Sequence, residues 1–376
     1  MREKLVDDKV QAYALQLSSN YKEFKPGRWN YEDGCFLKGF FDLWQSGGNS
    51  ELYGRVSNYV NKYVAADGSI KGYEIEEYNI DNVPMGRLLF PFYEITGEER
   101  FRKAISYTAG QLTTHPRISS GNFWHKKFYP HQVWLDGLYM GQPFYAMSLK
   151  LAQGEGADYG DIVKQFAFVQ AKMINKETGL YYHGYDDSRE QNWANKETGL
   201  SLNYWSRAMG WLAMALIDTL AVMGASKHAE PLAIMFKNLM AALLNYQDKA
   251  SGMWYQVTDK ALSKGNYLET SATLMFSYAL IKGARLGLLN KTEEQAGFTA
   301  FYKTMERYFS EKDGVYSLGG ICSVAGLGFP PGDYPHTDDR YRSGTEEYYY
   351  GEPIVSDDPK GAGICFMALS QIMLKY

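Results

Sequence analysis

The sequence predicts an all-α protein, an (α/α)6 barrel in which six helical hairpins close into a ring. Apolar residues recur with the period of a helix along most of the chain, and the alternation typical of strands is almost absent. Some predicted helices have a polar face and others are apolar nearly all round, which indicates an outer and an inner layer. Turns built on glycine recur between pairs of helices, which suggests that one hairpin unit is used repeatedly.

About twelve segments have the helical period, which is the number that six hairpins require. The segments 52–64 and 292–309 carry polar faces and are predicted outer helices, whereas 204–223 and 269–286 are predicted inner helices. An open solenoid is the alternative arrangement, but the apolar inner helices and the aromatic loops favour closure around a pocket. The other predicted helices are 3–18, 33–45, 84–95, 98–112, 137–152, 161–174, 229–246 and 360–375.

Four glycine turns connect the predicted helices, and each is followed by apolar or aromatic residues that suit a short strand or an extended loop. These turns are at Gly68, Gly179, Gly252 and Gly314. No sharp domain boundary is visible, so residues 1–376 are predicted to form a single barrel domain. The Gly- and Pro-rich segment 326–339 cannot hold a long helix, and we expect a loop over one end of the barrel.

The charge balance excludes several classes of partner. Lys and Arg number 39 against 43 Asp and Glu, so no basic face for nucleic acid or anionic lipid is expected. A small molecule is the expected partner of a monomer or weak homo-oligomer. The apolar stretches 210–225 and 231–244 are interrupted by charges and are shorter than the roughly 18 residues of a membrane span. Residues 1–20 are charged where a signal peptide would be apolar, which predicts a cytoplasmic location.

Familiar motifs for nucleotide, zinc and serine-esterase chemistry do not occur: G-x-x-x-x-G-K-[ST], H-E-x-x-H and G-x-S-x-G are all missing. Among the histidines only His125 and His131 are close in sequence, and their spacing is not typical of a metal site. The cysteines Cys35, Cys322 and Cys365 are far apart and are expected to be small core residues. No metal and no cofactor are therefore predicted.

Asp136 is the only acidic residue in the segment 121–140, which has the densest group of functional side chains. It lies between apolar and aromatic neighbours, and enclosure by them would penalise the carboxylate and favour the protonated acid. Two structural roles are the alternatives. Asp136 could cap the helix that follows it, or it could pair with a nearby base such as Lys126.

Asp81 is the second candidate acid, and it precedes Pro84, a residue typical of the first turn of a helix. Asp81 or Asn82 could simply cap that helix. As a functional residue, Asp81 would lie at the same end of the barrel as Asp136. A carboxylate there would help to keep Asp136 protonated and would hold a water molecule.

Arg207 lies in a very apolar predicted helix, between Trp205 and Trp211. Its guanidinium group cannot be neutralised, so burial would require an anionic partner, either a protein carboxylate or a substrate carboxylate. Indole rings stack on the C–H faces of sugars, so this arrangement suits an acidic sugar, and a structural arginine that bridges loops is the alternative. His183, after the Gly179 turn, could donate to a substrate or could be a satisfied loop histidine.

At these segments the chain resembles the unsaturated rhamnogalacturonyl hydrolases, glycoside hydrolase family 105, which are relatives of the unsaturated glucuronyl hydrolases. Trp-Leu-Asp-Gly at 134–137 and Arg-Ala-Met-Gly-Trp at 207–211 are together the specific part of the resemblance. The family fold is the (α/α)6 barrel, in agreement with the helix count. Thr270, where many relatives carry Ala, is a departure that touches packing rather than chemistry. Further matching segments are 80–82, 123–126, 267–272, 347–349 and 358–361.

The resemblance implies the hydration of a vinyl ether rather than direct attack on a glycosidic bond. Pectin lyases leave a C4=C5 double bond in the uronic acid at the non-reducing end, and such a small unsaturated oligosaccharide would be the substrate. Asp136 would act as catalytic acid and base, and Asp81 would hold substrate or water. The implied substrate-binding residues are His125, Lys126, Trp134, His183, Trp205, Arg207 and Trp211.

Three other functions stay open on the sequence alone. The first is an unsaturated glucuronyl hydrolase that acts on glycosaminoglycan fragments by the same chemistry. The second is a sugar-binding barrel without catalysis, and the third is a hydrolase of saturated sugars.

Overall fold

The computed structural model describes residues 2–47, 49–329 and 341–374. Within these ranges it has thirteen α-helices, and the twelve predicted segments correspond to α1–α11 and α13. The helices are α1 (Arg2–Ser19), α2 (Tyr31–Gly47), α3 (Ser50–Tyr63), α4 (Leu89–Thr96), α5 (Glu99–Thr114), α6 (Leu135–Gln153), α7 (Gly160–Lys172), α8 (Ser206–Met223), α9 (Ala229–Asn245), α10 (Thr270–Arg285), α11 (Lys291–Tyr308), α12 (Glu346–Gly351) and α13 (Pro359–Met373).

The inner helices form a closed ring. α2 contacts the 3-10 helix Pro84–Leu88, which leads into α4 and packs on α6. From α6 the ring continues through α8 and α10 to α13, and α13 packs against α2. The predicted (α/α)6 barrel is confirmed, and the open solenoid is excluded because the last inner helix contacts the first.

The two predicted layers are also confirmed. Every residue of α8 from Ser206 to Leu220 is buried, and α10 and α13 are nearly as enclosed. The outer helices α3 and α11 bury one face only. Among the described residues, α8 is the one helix long and apolar enough to cross a membrane, but 89% of it is buried inside the barrel.

Two short helical elements differ from the prediction. The predicted helix 84–95 is divided into the 3-10 helix Pro84–Leu88 and α4. Pro91, within the first turn of α4, has no N–H to extend the α-helical ladder backwards. The six-residue helix α12 was not predicted because it is too short to show a period. The other 3-10 helices are Ile75–Glu77, Ile80–Asn82 and Gly154–Gly156.

Short antiparallel strand pairs join the helices. β1 (Gln132–Trp134) pairs with β2 (Gly184–Asp186), β3 (Phe309–Lys312) with β4 (Val315–Leu318), and β5 (Ile321–Cys322) with β6 (Ile354–Val355). The glycines of the four predicted turns all have positive φ, between 67° and 91°, which favours glycine over other residues. The three cysteines are buried and free, as expected. Of the predicted loop 326–339, residues 330–339 lie outside the described residues.

Candidate active site

A short strand pairing brings Asp136 and His183 together at one end of the barrel. β1 and β2 pair with Trp134 opposite Gly184, and α6 begins immediately after β1. Asp136 therefore lies in the first turn of α6, while His183 lies just before β2. The Leu135 N–H donates to the His183 carbonyl at 3.1 Å, and His183 Nε2 is 3.3 Å from Asp136 Oδ2.

Asp136 is buried, with 9% of its surface exposed, and its Oδ2 has no hydrogen-bond partner among the described residues. The structure contradicts the capping role that the sequence left open for Asp136, and it contradicts Lys126 as its partner. Trp134 occupies the N-cap position of α6, and Lys126 pairs with Asp81 instead. The Asp136 carboxyl group lies at the wall of a cavity.

Asp81 lines the same cavity as one half of a buried ion pair. It does not cap the helical segment that follows, whose N-cap residue is Val83. Its Oδ2 is 2.5 Å from Lys126 Nζ, and its Oδ1 is 3.6 Å from His125 Nε2. Burial acts to raise the pKa of Asp81, but Lys126 and His125 outweigh burial and hold that pKa below its ordinary value. Asp81 is therefore an anion at neutral pH.

Aromatic rings gathered around Trp134 form one wall of the cavity. The His125 ring stacks on Trp134 with ring centres 4.4 Å apart, and Tyr129 stacks on it at 4.8 Å. Trp134 Nε1–H donates to Gln132 Oε1 at 3.0 Å, which fixes the indole. Burial lowers the pKa of His125 to about 4, so this imidazole is neutral at pH 7. Trp211 of α8 also lines the cavity.

Comparison with known proteins identifies the family. A model of Glycosyl Hydrolase Family 88 matches residues 6–375, nearly the whole chain. The chain belongs to this family. The resemblance to family 105 is confirmed too: the chain is 39% identical to a family 105 glycoside hydrolase of C. acetobutylicum ATCC 824, with a TM-score of 0.90 over 98% of this chain and 99% of that one.

Two further relatives are similar over parts of the chain. Protein Atu3128 of Agrobacterium fabrum is 42% identical over 219 residues, which are 57% of this chain and 90% of that protein. The unsaturated rhamnogalacturonyl hydrolase YesR of Bacillus subtilis is 25% identical over 267 residues, or 69% of this chain and 72% of YesR. Membership of the 88/105 group makes the chain a hydrolase of unsaturated glycosides, and it points to a small saccharide as substrate.

In this family 88 chain, His183 is held from the side opposite to Asp136. Its Nδ1 is hydrogen bonded to the hydroxyl group of Tyr349, in α12, at 2.8 Å. Its ring also packs against Trp205 at 4.8 Å. Trp205 is 1% exposed and, like His183 itself, is not among the cavity-lining residues, so its substrate-binding role stays a prediction.

Arg207 is likewise outside the cavity lining. Its guanidinium group lies 3.5 Å from the carboxylate of Glu269, and its Nε–H donates to Ser271 Oγ at 2.7 Å. It also donates to the carbonyl groups of Cys322 and Ser323. The anion that burial of Arg207 required is therefore present within the protein. The substrate-binding role of Arg207 stays a prediction.

Several cavity residues were missed by the sequence reasoning. Arg342 lines the cavity. It follows the predicted loop 326–339, and its backbone is hydrogen bonded to that of Gly328, near the start of the same loop. A Cβ atom on Gly326 would lie 2.7 Å from Arg342 Nη1, so this glycine makes room for the guanidinium group. The predicted loop over the barrel end was the signal that could have led to both residues. The other missed lining residues are Tyr31, Tyr129, Met140, Val324 and Ala325.

Proposed function

We propose that the chain is an unsaturated rhamnogalacturonyl hydrolase. It would hydrate the C4=C5 double bond of an unsaturated galacturonic acid at the non-reducing end of a pectin-derived disaccharide and release rhamnose. The observation that carries the proposal is the position of Asp136. Its buried carboxyl group lies at a cavity wall, 3.3 Å from His183, and forms no ion pair with a lysine among the described residues. We also propose that the enzyme works in the cytoplasm.

The reaction uses one carboxyl group twice. Protonated Asp136 donates its proton to C4, and positive charge develops at C5 and the ring oxygen. Water adds to C5 and gives a proton to the Asp136 carboxylate, which restores the acid. The bond between C5 and the ring oxygen then breaks, leaving a ketone at C5 and a hemiacetal at C1 that releases the next sugar. The carboxyl separations of ordinary retaining and inverting glycosidases therefore need not apply.

The polar groups around Asp136 suit a uronic acid. Lys126 and Arg342 are cations at the cavity wall, while neutral His125 can donate to a hydroxyl group. Trp134 and Trp211 are the indole rings that line the cavity and can stack on a sugar ring. Trp205 and Arg207 would support this wall from behind, Trp205 by packing against His183 and Arg207 by its contacts with Glu269 and Ser271.

A second cavity adjoins the first and offers space for the released sugar. The two cavities share the lining residues Tyr31, Asp81 and Lys126. Phe128, which is 55% exposed, lies on the second cavity and provides an aromatic surface at its edge. The name of the relative YesR supports rhamnogalacturonyl substrates over glycosaminoglycan fragments.

Ultraviolet absorbance of the conjugated double bond measures the reaction directly. We expect rapid loss of absorbance with unsaturated galacturonyl-rhamnose and slow loss with an unsaturated glycosaminoglycan disaccharide. The saturated galacturonyl-rhamnose should release no rhamnose. Faster reaction of the glycosaminoglycan disaccharide would instead identify an unsaturated glucuronyl hydrolase.

The same assay tests Asp136. Asp136→Asn removes the proton donor, and we expect kcat to fall about 10²- to 10⁴-fold while the Tm and the helical circular dichroism stay close to wild type. Asp8→Asn, on the exposed side of α1, is the matched control and should keep full activity. Near wild-type turnover by Asp136→Asn would disprove the assignment.

A further inference from the structure

A second cluster of charged side chains lies among the inner helices, and the proposed chemistry does not use it. Asp218 of α8 is at its centre, because Arg87 Nη2 and Lys282 Nζ each lie 2.6 Å from its carboxylate. Lys38 and Asp42, one turn apart on α2, form a second ion pair that interacts with the first. Tyr278 donates a further hydrogen bond to Asp218 at 2.7 Å.

With all five groups ionised, the cluster carries one excess positive charge. The cations Lys38, Arg87 and Lys282 number three, against the two anions Asp42 and Asp218. Burial acts to raise the pKa of Asp218, but Lys282 and Arg87 outweigh burial, so Asp218 stays ionised. Burial lowers the pKa of Lys282, although Asp218 opposes that shift. An uncompensated charge inside a protein is costly, so an additional anion would stabilise the fully ionised cluster.

A small cavity borders the cluster between α2, the 3-10 helix Pro84–Leu88 and α6. Its walls include Lys38, Arg87 and Tyr139. The cavity has a volume of about 20 Å³, and one water molecule needs roughly 10–15 Å³. The cavity therefore has room for one ion or one or two water molecules.

Arg87 shows that a hydrogen-bond acceptor is required there. Arg87 is 7% exposed, and its Nε and Nη1 atoms have no partner among the described residues. Its Nη2 atom donates to Asp218 at 2.6 Å. Buried polar groups are almost always hydrogen bonded, and guanidinium N–H groups can only donate. A water molecule would accept these hydrogen bonds but would leave the excess charge in place, whereas an anion would satisfy both needs.

We propose that this cavity binds one small inorganic anion of the size of chloride, held by Lys38 and Arg87. The space is too small for a phosphate group or a sugar carboxylate. Tyr31 and Met140 line both this cavity and the one at Asp136, so the anion site adjoins the active site from within the barrel. The proposal does not depend on which sugar the enzyme cleaves.

Thermal unfolding in different sodium salts tests the proposal at equal ionic strength. We expect the Tm to rise by several degrees with chloride or bromide and to reach a plateau, and to stay lower in gluconate, which cannot enter the cavity. Lys38→Met leaves two cations and two anions, so the difference between salts should vanish. Lys9→Met removes a cation from the exposed pair with Glu311 and, as the matched control, should keep the difference.

Crystals soaked in bromide provide a measurement that does not depend on a variant that folds. We expect an anomalous-scattering peak between Lys38 Nζ and the Arg87 guanidinium group. Equal Tm values in chloride and gluconate would overturn the proposal. So would a chloride effect that persists in Lys38→Met, or the lack of a bromide peak in this cavity.

Discussion

The apolar neighbours of Arg207 in the sequence predict that it is buried and therefore needs an anionic partner. They do not predict which residue that partner is. Glu269 reaches it because α8 and α10 pack side by side, which only the folded ring establishes. Asp136 was easier to single out, because the apolar residues that enclose it adjoin it in the sequence. His183 was harder to place, since the β1–β2 pairing that brings it to Asp136 joins distant segments.

Arg207→Ala should lower the stability of the fold. The substitution leaves Glu269 buried without its cation, and breaking a buried pair in this way costs about 3–5 kcal/mol. Urea unfolding measures the loss. Lys62→Ala, at the exposed pair with Glu23, is the control and should cost at most about 1 kcal/mol. Normal stability with a raised KM would contradict this expectation and would favour contact with the substrate.

At the scale of the elements, the hydrophobic period predicts the long helices but not the short ones. Long helices with a fully apolar or one-sided pattern, such as α8 and α11, are unambiguous in the sequence because the pattern covers several turns. α12 has only six residues, too few for a period, yet it carries Tyr349 to His183. The 3-10 helix Pro84–Leu88 was not distinguished from an α-helix in the sequence, because the same residues also suit an α-helix.

The outer helix α1 carries an acid whose titration should affect stability. Asp7 is half-buried beside α11, where the Tyr302 hydroxyl group donates to both carboxylate oxygens at 3.2 and 3.3 Å. Burial is the main cause that raises the pKa of Asp7 from 3.8 to about 6, with Glu3 and Asp8 adding to it and Tyr302 opposing it. The folded state therefore binds this proton more tightly than the unfolded state does.

The sign of the effect follows from that difference. Above pH 6 the ionised carboxylate destabilises the fold, and the penalty disappears as the pH falls from about 6 towards 4. Asp7→Asn should thus raise the Tm at pH 8, and its advantage over wild type should shrink to nothing near pH 4. Glu94→Gln, at an exposed position, is the control. A constant difference at all pH values would contradict this account.

At the scale of the whole molecule, the layering of the helices predicted that the barrel closes. It did not predict the contact between α2 and α13 that completes the ring, which we call the seam. α2 and α13 meet through two glycines, since a Cβ atom on Gly39 would lie 2.5 Å from the Gly363 carbonyl oxygen. A Cβ atom on Gly363 would lie 2.3 Å from the Cys35 carbonyl oxygen. No local sequence pattern predicts such a contact, because each position needs glycine only to leave room for the backbone of the other helix.

Gly363→Ala should therefore open the seam. The methyl group would meet backbone atoms that cannot move aside, and we expect a loss of at least about 1–3 kcal/mol in the free energy of unfolding. Gly54→Ala is the matched control, because Gly54 is also helical but a Cβ atom there would have no neighbour within 4 Å among the described residues. That change should be neutral or should add about 0.5–1 kcal/mol through helix propensity. Similar effects of the two substitutions would argue against close packing at Gly363.

The meeting of α2 with α13 also bears on biosynthesis. During synthesis α2 emerges from the ribosome early and α13 emerges last. Until α13 is present, the surfaces of α2 and α10 that it covers in the folded barrel have no partner. The nascent chain therefore exposes apolar surface to water, the kind of surface that chaperones recognise. Messages truncated before α13 should accordingly yield insoluble or rapidly degraded products rather than a smaller enzyme.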